Sequence, residues 1–261
     1  MEKCWARQFG DCSNKISREH TITAGIFIDP KVRVEGFSWC RDEPKEIGLA
    51  NLTSKVLCTK HNSQLSEVDG GGIQAVEKFR RERELNAARE KMTPRRWSIA
   101  EFTVDGILLE RWLTKCLINV AFENEIKIGL DSEEMGQPSK SLVEIVFGMR
   151  PFPGKAGLYA ISQINQTHNV VDGIQIITLL NEMQILVGSI FLMHGYRFFL
   201  FFDERGLPVD LPLPHIAGVL GEANRNYKTV YHVGAYRFLV GEHLSHRVRF
   251  NWKSRNCGTP R

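Results

Sequence analysis

The chain has 261 residues, of which 43% are hydrophobic and 25% are charged, and its formal net charge at pH 7 is +4. This composition excludes a disordered or fibrous protein and predicts a globular protein of one or two domains. The mild positive charge allows a nucleic-acid partner without requiring one. Residues 1–20 carry several charges and no apolar run, which argues against a secretory signal and favours the cytoplasm.

Residues 1–70 are predicted to form a small separate module. Four of the six cysteines lie in this part of the chain, and in a reducing compartment clustered thiols favour metal binding over disulfides. Two short apolar pieces, residues 21–28 and 36–39, have the composition of strands.

Residues 71–96 are predicted to form a basic helical connector. The run Asp69-Gly70-Gly71-Gly72 interrupts the chain where the connector begins, and a polar helix is expected over residues 73–91. Eight Lys or Arg stand against four Glu between residues 77 and 96. The candidates for contact with nucleic-acid phosphates are Lys78, Arg80, Arg81, Arg83, Arg95 and Arg96. The alternative is a solvated helix face held by Glu–Arg pairs.

Residues 97–261 are predicted to form an α+β domain with a mainly antiparallel sheet, serving recognition or a partner. Asp105 is expected to cap a helix over residues 106–122. Apolar residues recur along this helix at helical spacing and form its core face, whereas Glu110, Arg111 and Lys115 are expected to lie outside that face. The predicted strands cover residues 157–164, 174–180, 185–193, 196–202 and 230–239. A hairpin turn is expected at His194-Gly195, since polar residues there interrupt an apolar stretch, 185–202, that would otherwise suggest a membrane span.

A structural zinc ion is predicted from two pairs of ligands. Cys58 and His61 have the spacing of a zinc knuckle, whereas Cys4 and Cys12 are further apart than usual, with Gly10-Asp11 able to turn the chain between them. Two alternatives remain open at this stage. Cys40 could replace Cys4 or Cys12, or the thiols could simply pack in a core.

Three further residues stand beside these ligands. Glu19-His20 lies between the two pairs, and Asn62 directly follows the last ligand. This pattern resembles the HNH nucleases, also called His-Me finger or ββα-metal nucleases, and is most similar to their zinc-binding members of the phage endonuclease VII type. The resemblance covers about residues 4–66.

The resemblance implies a zinc-stapled, treble-clef-like ββα-metal module and a catalytic site. Glu19 and Asn62 would hold a catalytic Mg²⁺ or Mn²⁺, His20 would be the general base, and Asn51 would be the middle asparagine of the motif. The chemistry is consistent, because a divalent ion with oxygen ligands stabilises charge on a phosphate and a neutral imidazole can deprotonate water near pH 7. The alternatives are a structural role for His20 and a helix-capping role for Asn62.

The function expected from these residues is metal-dependent hydrolysis of phosphodiester bonds in nucleic acid, with DNA as the expected substrate. A nuclease module joined to an unfamiliar larger domain also suggests bacterial genome defence, by analogy of organisation alone. Two alternatives belong to other classes: a zinc-stabilised module that binds nucleic acid or protein without catalysis, and a purely structural interaction module.

Overall fold

The computed structural model describes residues 3–91, 98–154, 156–160, 173–203, 236–240 and 243–252. The helices are α1 (Thr59–Gln64), α2 (Ser66–Glu90), α3 (Gly106–Glu123) and α4 (Lys140–Val146). The strands are β1 (Glu19–His20), β2 (Lys31–Val34), β3 (Lys45–Gly48), β4 (Thr53–Ser54), β5 (Glu101–Asp105), β6 (Gly157–Ala160), β7 (Ile174–Leu180), β8 (Leu186–Met193), β9 (Tyr196–Phe201), β10 (Tyr236–Val240) and β11 (His243–Asn251). Three short 3-10 helices span Arg7–Phe9, Ala24–Ile26 and Leu49–Asn51.

The N-terminal part contains two small antiparallel pairs, β1 with β4 and β2 with β3. The strands predicted over residues 21–28 and 36–39 are wrong. The first segment contains the 3-10 helix Ala24–Ile26, and the second forms the turn that joins β2 to β3. The first segment passes close to α2, because a Cβ on Gly25 would lie 2.5 Å from Cδ1 of Ile73. The apolar residues of this segment therefore pack against a helix. Their pattern in the sequence does not distinguish such a segment from a strand.

A four-stranded antiparallel sheet with the order β6-β9-β8-β7 forms the centre of the C-terminal part. Its middle strands, β8 and β9, confirm that residues 185–202 are two buried strands joined by a hairpin. His194 and Gly195 both have positive φ, 47° and 82°, as a two-residue turn of this kind requires. None of the described helices has both the length and the apolar character needed to cross a membrane.

A second sheet has the order β10-β11-β5, and its β11–β5 pair is parallel. The other strand pairs in the described ranges are antiparallel, which confirms the predicted α+β class with mainly antiparallel pairing. The short helix α4 and the strand β5 were not predicted.

Helix α3 confirms the prediction over residues 106–122 and lies at the centre of the molecule. Asp105 caps it, since Oδ1 accepts hydrogen bonds from the N–H groups of Ile107 and Leu108 at 3.1 and 3.0 Å. The helix is buried on nearly all sides, and its buried residues include Glu110 and Lys115. The expectation that these charged residues lie outside the core is therefore wrong.

Helix α2 begins at Ser66, seven residues before the predicted start, and the glycine run lies inside it. The reason is the close approach of α3. A Cβ on Gly71 would lie 2.6 Å from Cβ of Leu108, and one on Gly72 would lie 2.3 Å from Cδ2 of Trp112. These glycines allow two helices to pack closely and do not interrupt the chain.

One hydrophobic cluster runs from Cys4 to Phe250 and includes residues on both sides of the predicted boundaries at 70 and 96. Trp5, for example, is completely buried, and its Nε1 donates to Oδ1 of Asn119 in α3 at 3.0 Å. The predicted domain boundaries stay predictions, but the N-terminal residues share their core with the rest of the chain. A small second cluster contains Val34, Cys40 and Leu52.

Candidate functional site

Four predicted zinc ligands converge at one place. The ligand atoms of Cys4, Cys12, Cys58 and His61 all lie within 4.8 Å of one another. The Nδ1 atom of His61 lies 3.4 Å from Sγ of Cys4, 3.7 Å from Sγ of Cys12 and 3.3 Å from Sγ of Cys58. In the described part of the chain, this is the only group of three or more His, Cys, Asp or Glu side chains with such geometry.

These distances fit a tetrahedral metal site. Zinc with bond lengths of about 2.3 Å to sulfur and about 2.0 Å to nitrogen places the sulfur and nitrogen ligands roughly 3.6 Å apart. Cys40 lies in the second hydrophobic cluster and not among these atoms. The cluster could therefore bind a metal such as zinc through the four residues first predicted, without Cys40.

The local backbone explains how the ligands come together. Cys58 is the N-cap residue of α1, and its sulfur accepts from the N–H of His61 at 3.5 Å. The loop before Glu19 reaches the same place, because Ile16 forms an antiparallel bridge with Cys58. Gly10 turns the chain between Cys4 and Cys12 with φ of 77°, a conformation that glycine adopts without strain.

The pKa values of the three thiols are shifted in different directions. Burial raises the pKa of Cys4 to about 12 and also raises the pKa of Cys12. Burial acts in the same direction on Cys58, but hydrogen bonds from His61 and Ser13 outweigh it and lower the pKa of that thiol to about 6. Metal ligation requires thiolates, so a bound cation would supply the positive charge that stabilises Cys4 and Cys12 in that form.

Asp11 supports the histidine ligand from the other side of its ring. Nε2 of His61 lies 2.8 Å from Oδ1 of Asp11, and Lys60 forms an ion pair with the same carboxylate. Hydrogen bonds from Lys60 and His61 lower the pKa of Asp11. A His61 ring that donates from Nε2 to this carboxylate would keep Nδ1 free to bind metal. The sequence indicated Asp11 only as part of a turn between Cys4 and Cys12.

A pocket of about 300 Å³ lies beside the Cys/His cluster, and Asn62, which directly follows His61, is among its lining residues. Its lining residues are Glu19, His20, Thr23, Ala24, Gly25, Asn62, Ser63, Ser66 and Asp69. Three of the four predicted catalytic residues thus share one pocket. Asn51 is exposed at the end of the 3-10 helix Leu49–Asn51 and is not among the lining residues.

Short local elements hold these residues in place. Glu19 is buried and His20 half-buried on β1, where they pair with Ser54 and Thr53 of β4. Asn62 lies inside α1, and its Nδ2 donates to Oγ of Ser17 at 2.8 Å. Asn62 is therefore not the N-cap of either neighbouring helix, since those positions belong to Cys58 and Leu65.

Two residues of this site were missed by the sequence analysis. Nζ of Lys115 lies 2.6 Å from Oε1 of Glu19 and 2.7 and 2.6 Å from the two carboxylate oxygens of Asp69. Thr23 donates to Oδ1 of Asp69 at 2.7 Å and in turn accepts from Nε1 of Trp112. Asp69 had been assigned to a loop and Lys115 to the outer face of a helix. A lysine inside a strongly apolar helix was the one available signal.

The pKa values of Glu19 and Lys115 both lie above their ordinary values. Burial raises the pKa of Glu19 more than the charge of Lys115 lowers it. Burial lowers the pKa of Lys115, but the charges of Glu19 and Asp69 outweigh it, and the pKa lies above its ordinary value. Lys115 is consequently charged at neutral pH.

The predicted phosphate-contacting residues of α2 already have partners within the chain. Nζ of Lys78 donates to the backbone oxygen of Thr103 at 2.8 Å, and Arg80 and Arg81 both form ion pairs with Glu84. A Cβ on Gly195 would lie 3.3 Å from the guanidinium of Arg83. Arg95 and Arg96 lie outside the described residues.

Comparison with known proteins adds no family: no family model, curated protein or solved structure matches the chain.

Proposed function

We propose that this chain is a metal-dependent endonuclease that hydrolyses phosphodiester bonds of nucleic acid, with DNA as the expected substrate. The observation that carries the proposal is that Glu19, His20 and Asn62 line one pocket beside the Cys/His cluster. The sequence pattern alone predicts a shared site for these three residues. Their convergence supports a common role.

The order of the local elements supports the same proposal. Strands β1 and β4 pair antiparallel, and α1 follows β4, as expected of a ββα-metal module. The β2–β3 pair lies between β1 and β4 in the chain. Cys58 and His61 fix the start of α1, so a metal there would hold Asn62 in place. Three thiolates and one imidazole would fill the four positions of a tetrahedral zinc ion, so a metal held by them would be structural.

The pocket residues can divide the chemistry of hydrolysis among them. A neutral His20 would accept a proton from a water molecule as its oxygen attacks phosphorus and the bond to the leaving oxygen breaks. The carboxylate of Glu19 and the amide oxygen of Asn62 are the kind of ligands that Mg²⁺ or Mn²⁺ takes. A divalent ion held there stabilises the negative charge on the leaving oxygen.

A nucleic-acid backbone could run along α2, whose first turns contribute Asp69 to the pocket. Arg81 lies twelve residues further along this helix, roughly 18 Å at 1.5 Å per residue, and 60% of its side chain is exposed. Phosphate contacts there would replace its pairing with Glu84. Recognition of a substrate or partner by the C-terminal sheet stays a prediction.

A second function, nucleic-acid binding without cleavage, is favoured by one specific contact. Oε1 of Glu19 already binds the ammonium group of Lys115, so one oxygen of a proposed metal ligand is engaged. If Lys115 prevents Glu19 from binding a divalent ion, the pocket would have the residues of a nuclease site but would not catalyse hydrolysis.

The test is nicking of supercoiled plasmid by the zinc-containing protein, with Mg²⁺ or Mn²⁺ and with EDTA. We expect cutting that requires a divalent ion. Asn62→Ala should raise the ion concentration needed for half-maximal rate, while the matched variant Asn14→Ala, at an exposed asparagine outside the pocket, should change the rate little. Binding of plasmid without nicking under every metal condition would favour the second function and contradict the first.

A further inference from the structure

The ammonium group of Lys115 lies between the carboxylates of Glu19 and Asp69, which both line the pocket. It lies 2.6 Å from Glu19 and 2.6 and 2.7 Å from the two oxygens of Asp69. Only 1% of the Lys115 side chain is exposed. Its three N–H groups therefore face the two carboxylates and not solvent.

Lys115 compensates part of the negative charge that the two carboxylates bring to the pocket. With both carboxylates ionised, Glu19 and Asp69 carry two negative charges, and Lys115 neutralises one of them. Two adjacent carboxylates otherwise attract a divalent cation strongly, especially where solvent is partly excluded. Both carboxylates also line the pocket, so a divalent ion and the ammonium group compete for the same oxygens.

We propose that Lys115 is a built-in cation of this pocket, which holds Glu19 and Asp69 together without metal and weakens the binding of a divalent ion by the protein alone. The proposal rests on the role given above to Glu19 as a ligand of that ion. A phosphate group of bound nucleic acid adds negative charge to the same place, so metal and nucleic acid bind cooperatively. Lys115 is thus a positioning residue that does not itself touch the reacting atoms.

The test is Mn²⁺ binding to the zinc-containing protein in the absence of nucleic acid, measured by electron paramagnetic resonance of free Mn²⁺. Lys115→Gln removes the charge and keeps a polar group able to donate to the carboxylates. Removing one positive charge within a few ångströms of the ion should tighten Mn²⁺ binding by about tenfold or more. The double variant Lys115→Gln, Glu19→Gln restores the net charge and removes a ligand, so it should lose this gain.

Stability gives a second measurement on the same variant. Without its ammonium partner the buried carboxylates repel each other, so the melting temperature of Lys115→Gln in EDTA should fall and Mn²⁺ should restore it. The wild-type melting temperature should respond little to Mn²⁺. A variant that folds only with divalent ions supports the proposal equally.

Unchanged or weaker Mn²⁺ binding by Lys115→Gln would overturn the proposal, as would a variant that fails to fold with and without divalent ions. Neither readout uses cleavage. A wild-type protein that never cuts nucleic acid would contradict the proposed function and leave this measurement interpretable.

Discussion

Nζ of Lys115 lies 2.6 Å from Oε1 of Glu19, although 96 residues separate them in the sequence. This contact connects the first strand of the N-terminal part with the central helix α3. The pocket is therefore built by residues on both sides of the predicted boundaries, and Asp69 of α2 completes the ion-pair network. Residues close to the Cys/His cluster and residues of the larger part of the chain thus contribute to the same site.

The Cys/His cluster predicts one tightly bound zinc per chain that the fold requires. Cys58→Ser should lower the zinc content and unfold the N-terminal part, since structural zinc contributes on the order of 10 kcal/mol in small modules. Cys40→Ser is the matched control, because Cys40 is equally buried but lies in a separate cluster. Elemental analysis and circular dichroism measure both effects. Zinc-free wild-type protein with a native spectrum would contradict the prediction.

Asp11 should tune the affinity of the metal site through His61. Loss of a carboxylate that orients a ligating histidine typically weakens metal binding by roughly 10- to 100-fold, and we expect this range for Asp11→Asn. Competition with a chelator measures the affinity. Asp42→Asn, at an exposed position, should leave it unchanged. Equal affinities in the two variants would show that the contact between Asp11 and His61 does not act on the metal.

The close approach of α2 to α3 can be tested with two neighbouring glycines. Gly72→Ala should destabilise the protein by about 1 to 3 kcal/mol, because the new Cβ would lie 2.3 Å from the buried ring of Trp112. Gly70→Ala meets nothing within 4 Å and should stabilise the helix by up to about 1 kcal/mol. Chemical denaturation compares them. Equal stabilities would mean that the helices are further apart than described.

Glu82 predicts a pH dependence of stability. It is completely buried in α2, and Oε2 accepts from the hydroxyl of Tyr196 at 2.9 Å. Burial raises its pKa to about 7, whereas a glutamate in an unfolded chain titrates near about 4.3. The folded state thus binds the proton more tightly. The resulting stabilisation is full below about pH 4 and is lost as the pH rises to about 7.

Glu82→Gln should remove this dependence. Between pH 5 and pH 8 the wild-type protein should lose about 2 to 3 kcal/mol more stability than the variant, as measured by urea denaturation. Glu84→Gln changes an exposed carboxylate of the same helix and should keep the wild-type profile. The same loss in wild type and Glu82→Gln would place the responsible group elsewhere.

The sequence predicted those features that depend on short stretches of sequence or on the chemistry of the ligands. The capped helix after Asp105, the hairpin at His194-Gly195 and the convergence of Cys4, Cys12, Cys58 and His61 all follow from patterns within a few residues or from ligand chemistry, and the structure contains them.

The missed features depend on tertiary packing. A run of three glycines has the same local signature in a loop and in a helix that approaches another helix, so the packing of Trp112 against Gly72 could not be predicted. Lys115 was placed outside the core because its partners, Glu19 and Asp69, lie far away in the sequence. Glu19, His20 and Asn62 could be predicted because they belong to a recognisable motif. Asp69 and its partner Lys115 belong to no motif and could not be predicted.

The most direct test of the proposed nuclease is plasmid cleavage by His20→Ala beside the wild-type protein. His20 lines the pocket with Glu19 and Asn62, and general-base catalysis typically contributes roughly 10²- to 10⁴-fold to the rate. We predict that the wild-type protein cuts with Mg²⁺ or Mn²⁺, and that His20→Ala loses at least about 100-fold in rate at every metal concentration while keeping its zinc, its fold and its affinity for DNA. Equal cutting by the two proteins would contradict the assignment of His20 as the base.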